Sequence, residues 1–210
     1  MGETSVALPS RAALGAATVE VLHRGNARNP DVLLVATGGQ RVVVKDFAPR
    51  GPFVRHFLAP LIHRQEIRAY HVLAGCEAVP RFLGRVDRLA FAVEYRPGPR
   101  MSRRLQGQVP RGFCDELEGA VRAMHRRGVV HLDLRHRSNV LVGGDGRPVL
   151  IDFASAICLR PGSWLARWLL PPLAALDLSA VGKWRVRLEP QSGPADAGAS
   201  AGGRGESRPT

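Results

Sequence analysis

Apolar and polar positions alternate over residues 18–22, and short apolar runs fill 32–36 and the centre of 41–46, the patterns of strands. Between them lie turn residues: Gly25, Asn26, Asn29 and Pro30 first, then Gly38-Gly39. The chain is therefore expected to open with three antiparallel strands. Ahead of them, Pro9-Ser10 leads into an Ala-rich turn or helix with Ser10 as its N-cap. Residues 58–74 change to helical period, with Pro60 in the first turn and Gly75 as the stop. Ile62, Ala69 and Leu73 share one face of that helix, and Glu66 falls within it. Strands over 79–84 and 90–95 bring the sheet to five. Arg96-Pro97-Gly98-Pro99 suits neither helix nor ladder and marks a linker.

The second half reads as mainly helical. A short helix is expected over 101–106 and a stronger one over 112–127, where Phe113, Leu117, Ala120, Val121 and Met124 form a stripe that Gly128 ends. Strands at 140–142 and 149–151 flank a turn of Gly143, Gly144, Asp145 and Gly146. That hairpin draws its outer ends together, so Asp133 and Asn139 meet Asp152 beside His131 and Arg135. Two carboxylates and an amide offer hard oxygen ligands suited to Mg²⁺, and a carboxylate can accept a proton from a hydroxyl. Residues 162–178 are largely apolar, 177–187 can form a helix, and the Gly-, Ala-, Ser- and Pro-rich tail is expected to be disordered.

Two charged residues stand out against this pattern. Of 30 basic residues only Lys45 and Lys183 are lysines. Lys45 lies inside an apolar strand, which points to a need for an ammonium; the plainer reading is an edge lysine reaching solvent. A Glu on a buried helix face needs a cation. Lys45 is the candidate partner of Glu66, and an arginine at the stripe's edge is the alternative.

The stretch 129–153 resembles the catalytic core of the protein-kinase-like superfamily. His131-Leu132-Asp133-Leu134 is similar to the His-x-Asp-Leu catalytic loop, Asn139 to its metal-binding Asn, and Asp152-Phe153-Ala154 to the Asp-Phe-Gly triplet. Val42-Val43-Val44-Lys45 resembles the strand whose lysine holds the ATP phosphates, with Glu66 as its helix partner. The resemblance implies an α+β, two-lobed, kinase-like fold: an N-terminal extension (1–17), an N-lobe with a five-stranded antiparallel sheet and one helix (18–96), a reduced, mainly helical C-lobe (97–188) and a tail (189–210). It further implies ATP and Mg²⁺ as cofactors. Asp133 would take the proton of the acceptor hydroxyl, Arg135 would lie near the transferring phosphate, and Asn139 and Asp152 would bind the metal. Lys45 and Glu66 would serve ATP, Glu94 and Tyr95 would line the purine pocket at the hinge, and Asp177 would brace the catalytic loop.

The chain also departs from the family pattern. The Asn normally follows the Asp by five residues, a place held here by Ser138, so either the loop carries an extra residue or Ser138 is the ligand. Leu132 replaces the common Arg. The loop at 23–31 has one glycine, Gly25, leaving Arg24, Arg28 and backbone amides to grip phosphate. No Ala-Pro-Glu triplet follows Asp152, and the compact form resembles the RIO and lipopolysaccharide-kinase branches. The expected activity is transfer of the γ-phosphate of Mg-ATP to a hydroxyl, on a protein Ser/Thr or a lipopolysaccharide-type sugar. The alternative is a weak or inactive pseudokinase serving as a nucleotide-dependent binding module.

Composition narrows the setting. The formal charge of +12 would attract phosphates, nucleic acid or an anionic membrane. No zinc-finger spacing or aromatic RNA-binding strand accompanies it, which argues against nucleic acid as the main partner. Cys76, Cys114 and Cys158 are widely spaced and fit a reducing cytoplasm. The start lacks a basic region followed by an apolar run, so no signal peptide is expected. Trp164, Trp168 and Trp184 fall among basic residues. They are read first as core, and second as peripheral contact of 164–187 with an anionic inner-membrane or lipopolysaccharide surface.

Overall fold

The structure is a computed structural model and describes residues 6–188, apart from the side chain of Arg137. The tail expected over 189–210 lies outside the described residues. Among these, the architecture is α+β, with one five-stranded antiparallel sheet and four α-helices, compatible with a kinase-like N-lobe.

The sheet is built as its sequence period requires. Strands β1 (Thr18–His23), β2 (Asp31–Thr37) and β3 (Gln40–Asp46) form successive antiparallel pairs. Thr37 faces Gln40 across Gly38 and Gly39, both at positive φ, as a two-residue hairpin turn demands. Strands β4 (Phe82–Arg85) and β5 (Ala90–Glu94) complete the order β1-β2-β3-β5-β4. One face buries Val35, Val42, Val44, Ala90 and Ala92; the other turns Val43, Phe91 and Val93 toward the main core. Side chains two apart on a strand share a face, so Lys45 emerges beside Val43 on the inner side.

The N-terminal segment is packed rather than free. Helix α1 (Leu14–Ala17) sets Leu14 into the outer-face cluster, with Val6 and Leu8 against it. Arg11 clamps it to the sheet through Asp46 at 2.7 Å and Asp87 at 2.6 Å. Ser10 caps a turn, accepting from the Ala13 N–H at 3.3 Å, instead of capping the helix itself.

Across the inner face runs α2 (Ala59–Val72), entered through a π-helical turn, Val54–Leu58. Its buried residues are Ala59, His63, Glu66, Ile67, Ala69 and Tyr70. Ile62, expected on the buried face, is only partly buried, and His63 is fully enclosed instead, between Phe47 (5.0 Å) and Phe91 (4.8 Å). The rest of the chain contributes α3 (Phe113–Arg126), short strands β6 (Val129–Val130), β7 (Val140–Val142), β8 (Pro148–Leu150) and β9 (Ile157–Cys158), and α4 (Trp164–Leu188). One cluster joins the halves, from Tyr70, Phe91 and Val93 to Leu117, Phe153 and Trp184.

Two expectations need correction. The segment 101–106 forms only a single 3₁₀ turn, Arg103–Leu105. The linker 96–99 lies outside helix and strand, as expected; just past it Arg100 forms an isolated bridge with Leu141, and the Pro99 oxygen accepts from the Val142 N–H at 3.0 Å. The helix expected over 177–187 begins at Trp164 and passes through Pro171 and Pro172. Ser163 starts it as an N-cap, accepting from the Ala166 N–H at 3.1 Å. The prolines are tolerated because the carbonyls they leave unpaired, four residues earlier at Arg167 and Trp168, belong to exposed residues that water can reach. No helix among the described residues is long and apolar enough to cross a membrane.

His63 makes stability depend on pH. Neither ring nitrogen has a hydrogen bond of normal geometry, and burial lowers its pKa from 6.5 to about 4, with Arg85 adding to the effect. The unfolded chain therefore binds the proton more tightly. Stability from this residue is complete above pH 6.5 and is lost as pH falls toward 4, by a total on the order of 3 kcal/mol. Thermal melts between pH 7.5 and 4.5 should show a falling midpoint that His63→Leu flattens. An equal slope in that variant would assign the effect to other groups.

Candidate active site

The site forms where α2, the turn after β6 and the turn after β8 converge. Lys45 Nζ donates to Glu66 Oε1 at 2.5 Å and to Asp152 Oδ1 at 2.7 Å, so one ammonium ties β3, α2 and the Asp152 turn together. Burial opposes the charge on Lys45, but Asp152 and Glu66 outweigh it and hold the pKa above the usual lysine range. The same ammonium holds Asp152 below the usual carboxylate range. Glu66 is 1 % exposed, and its burial raises its pKa against the pull of Lys45. Burial also raises the Tyr70 phenol, with Glu66 contributing.

The segment after β6 is held from below by Asp177 on α4. Asp177 Oδ2 accepts from the His131 N–H at 2.8 Å and Oδ1 from the Leu132 N–H at 2.9 Å, while His125 Nε2 meets Oδ2 at 3.0 Å. Leu132 (φ +67°) and Asp152 (φ +66°) are the described non-glycine residues at positive φ, and both lie here. Such backbone costs of order 1 kcal/mol or more and persists only where its surroundings enforce it. The carboxylate beneath Leu132 is one such constraint.

His131 is fully buried. Its Nε2 lies 3.0 Å from the Ile151 carbonyl, and the Asp133 N–H points at Nδ1 from 3.4 Å. Those contacts define one neutral tautomer, and burial lowers the ring's pKa accordingly. Phe153 packs between His131 (4.9 Å) and Tyr70 (5.2 Å).

A 3₁₀ turn, Arg137–Asn139, takes up the extra residue of the loop. Asn139 is thereby delivered to the site: Nδ2 donates to the Asp133 carboxylate at 2.8 Å and to its carbonyl at 3.0 Å. Ser138 bridges His136 Nδ1 (2.5 Å) and Asn139 Oδ1 (3.1 Å), and lines the cleft beside Asn139.

A cleft of about 480 Å³ opens above these groups. Lys45, Asp133, Asn139 and Asp152 lie on its walls, and Val93, Glu94 and Tyr95 at its rear. The carboxylate of Glu94 is engaged by Arg81 and Arg96, each at 3.5 Å. A smaller cavity of about 200 Å³ shares Lys45, Asp133 and Asp152 and reaches Glu66. Of the eight residues singled out in the sequence, Arg135 stands apart. Its guanidinium meets Ser179 Oγ at 3.3 Å and lines a different cavity.

The loop at 23–31 is tied to itself. The Gly25 N–H donates to Asp31 at 2.8 Å, and the Arg28 and Asn29 N–H groups donate to Asn26 Oδ1 at 2.9 and 3.1 Å. Asp31 is paired in turn with Arg50. Gly25 is needed because a Cβ there would collide with the Asn29 and Pro30 carbonyls. The Gly25, Arg28 and Asn29 amides are thus already engaged, and Arg24 and Arg28 remain exposed.

Asp133, Asp152 and Asn139 present hard oxygen atoms of the type that Mg²⁺ prefers. Among the described residues, no group of three or more His, Cys, Asp or Glu side chains forms a metal cluster of its own.

Comparison with known proteins agrees in part. No family model matches the chain. Serine/threonine-protein kinase kin-29 from Caenorhabditis briggsae is 33% identical to it over 102 residues, 45% of this chain. The chain spans only 12% of that protein's length. This similarity supports a protein-kinase-like relationship at a coarse level.

Replacing Asp177 by Ala should leave three buried donors without an acceptor and cost at least about 3 kcal/mol. Denaturant unfolding measures this. A loss below about 1 kcal/mol would mean the turn at Leu132 does not depend on the carboxylate.

Proposed function

We propose that the protein is a compact kinase-like phosphotransferase, with residues 18–96 and 97–188 as its two lobes. The carrying observation is the shared ammonium: Lys45 joins Glu66 and Asp152 at the mouth where Asp133 and Asn139 also point. In this reading the cleft takes ATP, with the purine against Glu94 and Tyr95 and the phosphates toward Lys45. Asn139 and Asp152 would hold Mg²⁺, which when bound neutralises phosphate charge. Asp133 accepts the proton of the acceptor hydroxyl, with the Asn139 amide fixing its carboxylate. Catalysis of this kind is positioning plus electrostatics. Among kinase-like branches, the compact form is closest in character to the RIO and lipopolysaccharide kinases, and the acceptor is a hydroxyl of a protein or sugar.

One observation favours a second reading. The Gly25, Arg28 and Asn29 amides are engaged within their own loop, which weakens any phosphate grip there. A nucleotide-binding pseudokinase fits that feature. A further part of the proposal concerns location. Trp184 is core, but Trp164 and Trp168 are 74% and 75% exposed, against the expectation that all three pack inside. Beside Arg167, they suit peripheral contact with an anionic surface such as the inner membrane, with the rest of the protein in the cytoplasm.

Calorimetric titration of ATP with Mg²⁺ and with EDTA, beside Asp152→Asn, tests the site. Metal-dependent binding that the variant abolishes is the expected result; equal binding throughout would remove Asp152 from the metal. Asp133→Asn should retain ATP and lose roughly 10²–10⁴-fold in turnover. Full activity in that variant would refute its role, and tight ATP binding without transfer by the native chain would establish the pseudokinase.

A further inference from the structure

Beside the cleft lies a second cavity, of about 410 Å³, lined by Arg103, Arg135, His136, Trp184 and Arg187. These residues come from three places: the 3₁₀ turn after the linker, the segment just past Asp133, and the last turns of α4. Three guanidinium groups and an imidazole converge, and among the described residues no carboxylate lines the cavity.

Several arginines elsewhere in the chain are matched to acids. Arg11 is held by Asp46 and Asp87, Arg50 by Asp31, and Arg185 by Asp115 and Glu118. Arg187, two residues beyond Arg185, instead lies over the Trp184 ring at 5.4 Å. Arg135 makes a weak contact with the Ser179 hydroxyl. Gathering like charges in a concave site is unfavourable, and an anion relieves it. The floor is firm, because Trp184 is 3 % exposed and its Nε1 donates to the Leu134 carbonyl at 3.3 Å. Planar guanidinium forks match the paired oxygens of a phosphate better than any other side chain does. His136 lines this cavity and the cleft alike, so the two adjoin, and Asp133 lines the cleft side.

We propose that this cavity is an anion subsite for the acceptor, and that the acceptor carries a phosphate monoester near the hydroxyl it presents, held by Arg103, Arg135 and Arg187. Its role for the acceptor rests on the phosphotransferase reading of the cleft; the anion site itself does not. The volume suits a phosphorylated sugar or a comparable small molecule. The same chemistry is offered by a phosphate-bearing lipid headgroup.

The test is calorimetric titration of the full chain with inorganic phosphate and with glucose 6-phosphate, with and without saturating Mg-ATP. Phosphate should bind the native protein at low salt and at least tenfold more weakly to Arg103→Ala and Arg187→Gln, while both variants keep native Mg-ATP affinity. Equal phosphate affinity in the variants, or displacement of phosphate by Mg-ATP, would overturn the subsite. Arginine-dependent phosphate binding in a chain that never binds Mg-ATP would overturn the acceptor role and the phosphotransferase reading, while upholding the anion site. Vesicles containing phosphatidic acid separate the sources: arginine-dependent binding to them without binding of glucose 6-phosphate would assign the phosphate to a lipid. Should either variant unfold, phenylglyoxal labelling of the native chain gives the answer. Protection of Arg103, Arg135 and Arg187 by phosphate supports the site, and unchanged labelling overturns it.

Discussion

The Lys45 ammonium is the contact on which the arrangement of the cleft depends. It draws a carboxyl group from α2 and another from the turn after β8 onto a strand of the sheet. Glu66 is almost wholly buried, so without Lys45 it would be an uncompensated acid in the core. The ion pair therefore couples three things: the seating of α2 on the sheet, the orientation of Asp152, and the position of Phe153, which meets Tyr70, one turn past Glu66, edge to face. A disturbance at any one of them reaches the others.

A second fixed point lies on the helical side. Asp177 binds the main chain at His131 and Leu132, while Trp184 on the same helix holds the Leu134 carbonyl. The turn carrying Asp133 is thus pinned to α4 on both sides of that carboxylate. Such support explains how the loop accommodates an additional residue: the insertion is absorbed by the 3₁₀ turn beyond the pinned part, and Asn139 still meets Asp133.

Charge around the cleft is uneven in a way that bears on function. The loop at 23–31 spends its Gly25, Arg28 and Asn29 amides internally, and its arginines face solvent. On the opposite flank the arginines converge on a cavity that shares His136 with the cleft. In the proposed reading, nucleotide recognition leans on Lys45 and the hard oxygen ligands, and the basic flank serves the other substrate.

Much of this was legible in the residues themselves. The period of two placed Lys45 on one face with Val43, and the glycine turn between β7 and β8 brought Asp133, Asn139 and Asp152 to one mouth, because strand alternation and turn chemistry are local properties. The Lys45–Glu66 pair was readable from the cost of an unpaired buried acid. Tertiary structure alone decided what depended on packing between distant segments. It joined Ser138 to Asn139 through a hydrogen bond, turned Arg135 from the cleft to Ser179, and enclosed His63 where the helical pattern had favoured Ile62. It also carried α4 through two prolines, because exposure of the preceding turn, invisible in the sequence, let water satisfy the carbonyls they free. The engaged amides of the 23–31 loop belong to the same class. Whether an N–H is available depends on which side chain reaches it, and that is settled only when the chain has folded.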